Sequence, residues 1–264
     1  NGLNSMQYDR YPFIDLAVHD AIRERFAEGD ALIVASPDLR TIHWANGQAS
    51  DLFGYSDIYD LLDDGIEAQP ALKRQIAGAI IGLARKTEQD FMIRVTRGFK
   101  RMAIGARAKL IELPGGAAAV LISSDGAYVG RTDEARGKQI ISGFEGTDTH
   151  VAVLNAEGRL VAGSPSFVEA EIDSGDLAKM VRDVTGEKDR LVKRMIETPR
   201  GPIAAAIGQL TDDPILHLVF AIEPASVQTE DEGEADAANV ESEAPSTIAA
   251  GTPAAASFDA NRIR

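Results

Sequence analysis

The sequence predicts an α+β protein made of two similar antiparallel domains, and three observations support this. Within Asp30–Tyr55 the spacing of apolar residues changes from strand-like to helical. The same pattern restarts at His150, where Val151 takes the place of Leu32 and Val161 that of Ile42. Both copies then end in three strand-like segments separated by Gly- or Pro-containing turns.

The first copy begins with a buried strand, a turn at Ser36-Pro37-Asp38 and a second strand that ends at Trp44. Apolar residues at helical spacing follow until Gly54, and a longer amphipathic helix comes next. Three alternating segments complete a five-stranded sheet with helices on one face. The predicted elements are strands 31–35 and 41–44, helix 71–86, and strands 91–96, 101–113 and 117–123.

The second copy repeats this order. Its main predicted helix begins at Ser174, a capping residue, and ends at Gly186. The closing strands are predicted at Arg190–Glu197, Ile203–Leu210 and Ile215–Ile222. Because element order and turn positions both recur, the two halves are predicted to be copies of one duplicated unit.

The flanking segments complete the predicted organisation, and Tyr11–Glu28 is predicted to be one helix. Its narrow apolar stripe either packs on its own domain or pairs with a second copy of the chain. That stripe, a candidate dimer helix, is Ile14, Val18, Ile22 and Phe26. The predicted regions are an N-terminal helix (1–29), domain 1 (30–125), a linker with a short helix near 134–142 (126–148), domain 2 (149–224) and a disordered acidic tail (225–264).

Composition restricts the classes of function. The net charge is −14, with 41 acidic against 27 basic residues, which disfavours broad contact with nucleic-acid phosphates. The tail contributes eight acids against Arg262 and Arg264. The absence of cysteine fits a reducing cytoplasm and excludes disulfides and thiolate metal sites. No apolar run reaches the length of a membrane span, so a cytoplasmic protein without a membrane segment is expected.

The chain carries no recognisable catalytic or cofactor motif. The four histidines, at positions 19, 43, 150 and 217, lack metal-ligand spacing. Ser164 and Ser166 suit a turn better than a nucleophile elbow, and no phosphate-binding glycine motif occurs. We therefore predict no catalytic residue, no metal and no cofactor, and no enzyme activity in this chain.

The first copy resembles Per-Arnt-Sim (PAS) domains, and two short sequence motifs show the resemblance. The small residue plus Asn at Ala45-Asn46 and the sequence Phe53-Gly54-Tyr55 match the family pattern, whereas Gly163-Ser164-Pro165 replaces the Ala-Asn pair in the second copy. The arrangement resembles the N-terminal sensory region of an alphaproteobacterial cell-cycle histidine kinase of the PleC/DivJ/PdhS group. That resemblance implies tandem sensory domains and an output domain after residue 264.

In the PAS arrangement, the sheet and the mid-domain helices enclose a cavity. Candidate lining residues in domain 1 are Trp44, Phe53, Ile58, Leu61, Ile80, Phe91, Ile93, Met102 and Ile104. Candidates in domain 2 are Phe167, Met180, Met195 and Phe220. The spacing alone does not separate a filled core from a ligand cavity.

Three functions stay open at this point. The first is a sensory module of a signal-transduction protein that binds a regulatory protein, a second copy of itself or a small metabolite. The others are an enzyme with an unrecognised site and a structural scaffold for dimerisation.

Overall fold

Two five-stranded antiparallel sheets organise the chain, as the sequence predicts. In the computed structural model, residues 13–83, 86–97, 100–126, 132–144 and 149–222 are described, and they belong to one unit spanning Asn1–Ala225. The predicted tail at 225–264 lies outside the described residues. The strands are β1 (Ala31–Ala35), β2 (Ile42–Ala45), β3 (Glu88–Arg97), β4 (Lys100–Glu112), β5 (Ala118–Ser124), β6 (His150–Asn155), β7 (Leu160–Gly163), β8 (Leu191–Thr198), β9 (Gly201–Asp212) and β10 (Ile215–Ile222).

The two sheets have the same topology. The first has the order β2-β1-β5-β4-β3 and the second the order β7-β6-β10-β9-β8. All neighbouring strands are antiparallel. The helices are α1 (Phe13–Ala17), α2 (Arg23–Glu28), α3 (Gly47–Phe53), α4 (Ile58–Asp64), α5 (Pro70–Leu83), α6 (Asp133–Ile140), α7 (Pro165–Glu169) and α8 (Ser174–Thr185), with a 3-10 turn at Ile66–Ala68. The predicted α+β class with two PAS-like domains is confirmed.

The prediction of one continuous N-terminal helix is wrong. The described part of that segment forms α1 and α2, which are separated by turn residues 18–22. His19 stabilises the break, because its Nδ1 atom accepts a hydrogen bond from the Ala21 N–H at 3.1 Å and its Nε2 atom lies 2.9 Å from the Glu112 carbonyl oxygen. The break lets both short helices follow the surface of the sheets.

The apolar stripe of this segment is buried within its own chain. Ile14 is 2% exposed, Val18 7%, and Ile22 and Phe26 are fully buried. They belong to a cluster that contains residues of both sheets. Of the two arrangements left open by the sequence, the structure has the intramolecular one, so these four side chains do not form a free dimer surface.

Three apolar cores hold the unit together. A shared core lies between the two sheets and contains α1, α2 and residues from the connecting segment. A second core lies between the first sheet and helices α3–α5, and a third between the second sheet and helices α7 and α8. The two faces of the first sheet belong to different cores, as the alternation along β1 shows. Leu32 and Val34 enter the shared core, while Ile33 and Ala35 enter the domain 1 core.

The connecting segment takes part in the shared core. Thr132 caps α6 by accepting the Ala135 N–H at 3.2 Å. Ile140, Ile141 and Phe144 are buried in the shared core. The segment predicted as a linker at 126–148 therefore packs against both sheets where it is described, and the exact domain limits stay a prediction.

Candidate functional site

Most of the residues predicted to line a domain 1 cavity pack in the domain 1 core. Leu61 and Ile93 are buried there, and Phe53, Ile80, Phe91 and Ile104 pack against it while partly exposed. Together they cover the sheet face that carries α3–α5. Phe91, Ile93 and Ile104 lie on strands of the first sheet, and Phe53, Leu61 and Ile80 lie on the helices that pack against it.

Trp44 and Ile58 do not lie in that core, and Met102 is not enclosed. Trp44 is 1% exposed and Ile58 fully buried, both in the shared core. The Trp44 indole Nε1–H donates to the Phe13 carbonyl oxygen at 3.0 Å. Trp44 pairs with Val34, so both side chains project from the sheet face opposite α5. Met102, near the end of the β3–β4 hairpin, is 36% exposed.

The domain 2 candidates also divide between cores. Phe167 and Met180 lie in the domain 2 core. Phe220 points into the shared core instead, and Met195 is 58% exposed on edge strand β8. Which face of a strand enters the domain 2 core depends on the elements that pack against the sheet. The repeated sequence pattern does not specify those elements.

A groove of about 920 Å³ opens beside the domain 1 core, between α3, the ends of three strands and α6. Leu52, Tyr55 and Ile104 give it an apolar wall continuous with the domain 1 core. Its polar lining residues come from α3, β5 and the connecting segment; they include Gln48, Asp51, Ser124, Asp125, Lys138, Gln139 and Ser142. We call this space the α3–α6 groove.

Asn46 fixes the position of α3 at this groove. Its side chain is fully buried, and its Oδ1 atom accepts the backbone N–H groups of Leu32 at 2.9 Å and Ala49 at 3.2 Å. Its Nδ2 atom donates to the Asp30 carbonyl oxygen at 2.7 Å. One amide thus caps α3 and ties it to the start of β1, which explains the Ala-Asn pair in physical terms.

Ser164 performs the corresponding task in domain 2. Its hydroxyl oxygen accepts the N–H of Val151 at 3.1 Å and that of Phe167 at 3.2 Å, and it donates to the Thr149 carbonyl oxygen at 3.2 Å. The replacement of Ala45-Asn46 by Gly163-Ser164 therefore keeps the cap. The Ser164 hydroxyl group is therefore engaged in hydrogen bonds that stabilise the fold.

The connecting segment forms the second wall of the groove through close backbone packing. The Gln48 Nε2 group donates to the Gln139 carbonyl oxygen at 2.7 Å and to the Ser142 hydroxyl oxygen at 2.9 Å. A Cβ atom on Gly47 would lie 2.1 Å from the Ser142 carbonyl oxygen, and one on Gly143 would lie 2.7 Å from the Gly47 Cα atom. Only glycine permits this approach.

The same segment contacts domain 2. A Cβ atom on Gly137 would lie 2.9 Å from the Ala162 Cβ atom on β7. The Tyr59 hydroxyl group, on α4, is 2.8 Å from the Thr149 hydroxyl oxygen at the start of β6. A structural path therefore runs from the groove-lining helix α3 through the connecting segment to the second sheet.

Ionic contacts hold the strand-end rim of the groove. The Arg25 guanidinium donates to Asp30 Oδ2 at 2.7 Å, Ser123 Oγ at 2.7 Å and Asp125 Oδ1 at 3.2 Å. Asp30 Oδ1 also accepts the Gly126 N–H at 3.0 Å. The rim is thus joined to α2, which belongs to the shared core.

The chemistry of these residues suits binding. Within the described ranges, no group of three or more His, Asp or Glu side chains could hold a metal ion. The groove combines an apolar wall with amide, hydroxyl and charged groups, as ligand sites commonly do. An occupant would contact domain 1 and the connecting segment at the same time.

His217 is a buried titratable group in domain 2, and we expect it to make stability sensitive to acid. It is fully buried on β10, and burial lowers its pKa from 6.5, partly offset by the Asn155 backbone. As pH falls through about 6.5, the unfolded chain gains a proton that the folded chain resists, so stability is lost. Urea unfolding at pH 7.5 and 5.5 should show that His217→Leu reduces this loss by up to about 1.4 kcal/mol. An identical pH dependence in both proteins would contradict the assignment.

The sheet order, the capped α3 and the packing of α3–α5 and α7–α8 on one face of their respective sheets define a protein with two PAS-like domains in tandem. Comparison with curated proteins shows what it resembles. The chain is 35% identical over 219 residues to the cell-division control histidine kinase PdhS of Brucella anthropi, which covers 83% of this chain and 20% of that protein. It is 34% identical over 225 residues to PdhS of Brucella canis, covering 85% of this chain and 21% of that one. The chain thus spans about a fifth of the length of these relatives, and the expected resemblance to PdhS is confirmed.

Solved structures give weaker likenesses, and no family model matches the chain. The periplasmic domain of Vibrio cholerae LuxQ is 12% identical, with a TM-score of 0.22 over 74% of this chain and 70% of that one. The bacteriophytochrome RpBphP3 from R. palustris is 14% identical, with a TM-score of 0.28 over 74% and 53%. At such low scores, the fold assignment depends on the sheet order itself. None of the described helices combines the length and the hydropathy needed to cross a bilayer.

Proposed function

We propose that this chain is the sensory and regulatory segment of a histidine-kinase-type signal-transduction protein. The observation that carries the proposal is the 35% identity to PdhS across 83% of the chain. The tandem PAS-like fold supports it, because the same five-strand order occurs in both halves of the described chain. In this proposal the chain itself is not an enzyme.

The α3–α6 groove is the proposed input site. A small metabolite or a segment of a regulatory protein bound there would contact α3 and α6 together. Any occupant that binds one packing of α3 on α6 more tightly than another shifts the population between them. Because α6 also packs on β7, that shift would reach the second sheet.

We also propose that the protein acts as a cytoplasmic homodimer, without contact to nucleic acid. Exposed apolar side chains on the edge strands supply surface for such contacts, including Met92 on β3 and Met195 on β8, which are 57% and 58% exposed. The N-terminal apolar stripe is buried and therefore does not contribute to a dimer surface. The cytoplasmic location stays a prediction from composition.

Gln48→Ala should weaken the path from the groove to the second sheet. It removes both side-chain hydrogen bonds between α3 and the connecting segment, a loss of about 1–2 kcal/mol in local stability. Hydrogen exchange should become faster in α6 and β7. In the full-length gene product, the phosphorylated fraction measured on a phosphate-affinity gel should change by about threefold or more, because 1 kcal/mol alters a two-state ratio by about fivefold.

The matched control is Gln209→Ala. Gln209 lies on β9 of the second sheet, and its Nε2 group donates to the Thr211 carbonyl oxygen at 3.3 Å and to Asp212 Oδ1 at 2.8 Å. It should leave exchange in α6 and the phosphorylated fraction unchanged. Equal effects of the two variants on phosphorylation, or none from either, would reject the proposed role of the α3–connector contact.

A further inference from the structure

A second groove, of about 860 Å³, lies between the first turns of α5 and the end of the β3–β4 hairpin. Three of the described residues that line it are arginines, in a protein whose net charge is −14. The described lining contains no aspartate or glutamate; it consists of Ala71, Arg74, Gln75, Arg94, Val95, Thr96, Arg101, Met102 and Ala103. We call it the arginine groove.

The basic residues farther along the same hairpin form ion pairs with acidic residues, whereas the arginines of the groove form none within the part of the chain that the structure describes. Arg107 Nε lies 2.8 Å from Asp90 Oδ1, and Lys109 Nζ lies 3.2 Å from Glu88 Oε1. Among the described residues, neither Arg94 nor Arg101 has an ion pair, and the same holds for Arg74. The hairpin therefore has a neutralised half and a positively charged half.

Strand register brings two of the arginines together. Arg94 pairs with Ala103 and Thr96 with Arg101, so Arg94 and Arg101 are diagonal neighbours on one face of the hairpin, opposite the face from which Ile93 enters the domain 1 core. Two like charges at this spacing repel each other, and a bound anion would relieve that repulsion. Thr96, between them in the pairing, adds a hydroxyl donor.

Helix α5 packs on the other face of the hairpin, and at the edge strand β3 it contributes the third arginine and a fixed frame. The Gln75 side chain accepts the Arg94 N–H at 2.8 Å and donates to the Ala71 carbonyl oxygen at 3.0 Å, which joins the hairpin to the first turn of the helix. The backbones that carry Arg74 and Arg94 are thus held relative to each other. Because Ala71 lies in the first turn of the 14-residue helix α5, the positive end of the helix dipole borders the groove.

We propose that the arginine groove binds a phosphorylated small molecule of about nucleotide size. Guanidinium groups present paired donors that match phosphate oxygens, and they keep their charge at any physiological pH. Met102, Ala103 and Ala71 provide apolar surface for the body of the ligand. The volume falls within the range of small-molecule sites. This site is separate from the α3–α6 groove, although Met102 borders both.

Titration calorimetry on the whole chain tests the site with inorganic pyrophosphate, ADP and adenosine as probes. We expect ADP and pyrophosphate to bind at 50 mM salt, adenosine to bind at least about tenfold more weakly than ADP, and affinity to fall as salt is raised. Arg94→Gln, Arg101→Gln and Arg74→Gln should each weaken binding of ADP by about tenfold, the effect of one lost charge-assisted hydrogen bond.

The control variant is Arg159→Gln, an exposed arginine on the β6–β7 turn of the second sheet. It carries the same charge change and should leave affinity for ADP unaltered. All four arginines are exposed, so thermal midpoints should match the unmodified protein and exclude unfolding as a cause. The proposal is overturned if adenosine binds as tightly as ADP, if Arg159→Gln weakens binding equally, or if neither phosphate-bearing probe binds. Binding only of a phosphorylated peptide would overturn it in favour of a protein ligand.

Discussion

Replacing Trp44 with alanine is expected to lower the free energy of unfolding by about 3–5 kcal/mol. Trp44 is among the largest fully buried side chains. Its ring centroid lies 5.0 Å from that of Phe13 and 5.5 Å from that of Phe26, and its indole N–H is bonded to the Phe13 carbonyl oxygen. Alanine would leave a cavity in the core that both sheets share, together with an unpaired carbonyl group.

The location of Trp44 makes the effect reach both sheets. Hydrogen exchange should become faster in β1 and β2 and also in β10, because Phe220 on β10 stacks on Phe13 at 5.6 Å. Trp44→Phe should retain most of the packing and cost about 1–2 kcal/mol, since it loses the hydrogen bond and part of the ring. Urea unfolding followed by circular dichroism measures both changes, since the variants lack the only tryptophan.

Leu72→Ala is the matched control for this prediction. Leu72 is buried in the domain 1 core, and its truncation costs about 2–5 kcal/mol. Its local effect should be confined to α5 and the first sheet. If Trp44→Ala left exchange in β10 unchanged, or if Leu72→Ala accelerated it equally, the shared core would not couple the two sheets as described.

How far the sequence determines these features can be seen at β1. The continuous apolar run from Ala31 to Ala35 predicted a buried strand correctly, because a strand covered on both faces has no polar side. This apolar run did not predict which elements cover each face of β1. The face of Leu32 and Val34 is covered by α1, α2 and the second sheet, and the second sheet begins only at His150, far along the chain. For this reason Trp44 was predicted to line a domain 1 cavity and instead lies in the shared core.

The broken N-terminal helix has a similar explanation. Ile14, Val18, Ile22 and Phe26 have the spacing of one helix, and nothing local in residues 18–22 forbids it. The break is stabilised by a contact between His19 and Glu112, which are far apart in the chain. Tertiary contacts of this kind override local preference.

The α3–α6 groove was also not predicted, although its glycines were visible. Gly137 and Gly143 are consistent with linker composition, and their segment (126–148) was predicted to be a linker, whereas Gly47 lies in the predicted domain 1. Close approach between backbones is the physical reason for them, and it appears only once the two chain segments are placed together. Asn46, in contrast, was singled out because it matches the PAS family pattern, and the structure gives the physical reason for it, the cap of α3.

Gly47→Ala should lower the free energy of unfolding by about 2–3 kcal/mol, a large effect for one added methyl group. The new Cβ atom would lie 2.1 Å from the carbonyl oxygen and 2.4 Å from the carbonyl carbon of Ser142. These are backbone atoms, so a change of side-chain rotamer cannot relieve the overlap. The connecting segment must move away from α3, and hydrogen exchange in residues 132–144 should rise accordingly.

Gly78→Ala provides a control with the same change and the opposite expected sign. Gly78 lies within α5, and a Cβ atom there would meet nothing within 4 Å. Because alanine favours helix more than glycine does, this variant should be more stable by about 0.5–1 kcal/mol. Urea unfolding of the two variants beside the unmodified protein would show the opposite shifts. Equal shifts would mean that α3 does not meet the connecting segment at Gly47, and the path from the groove to the second sheet would then lose its first contact.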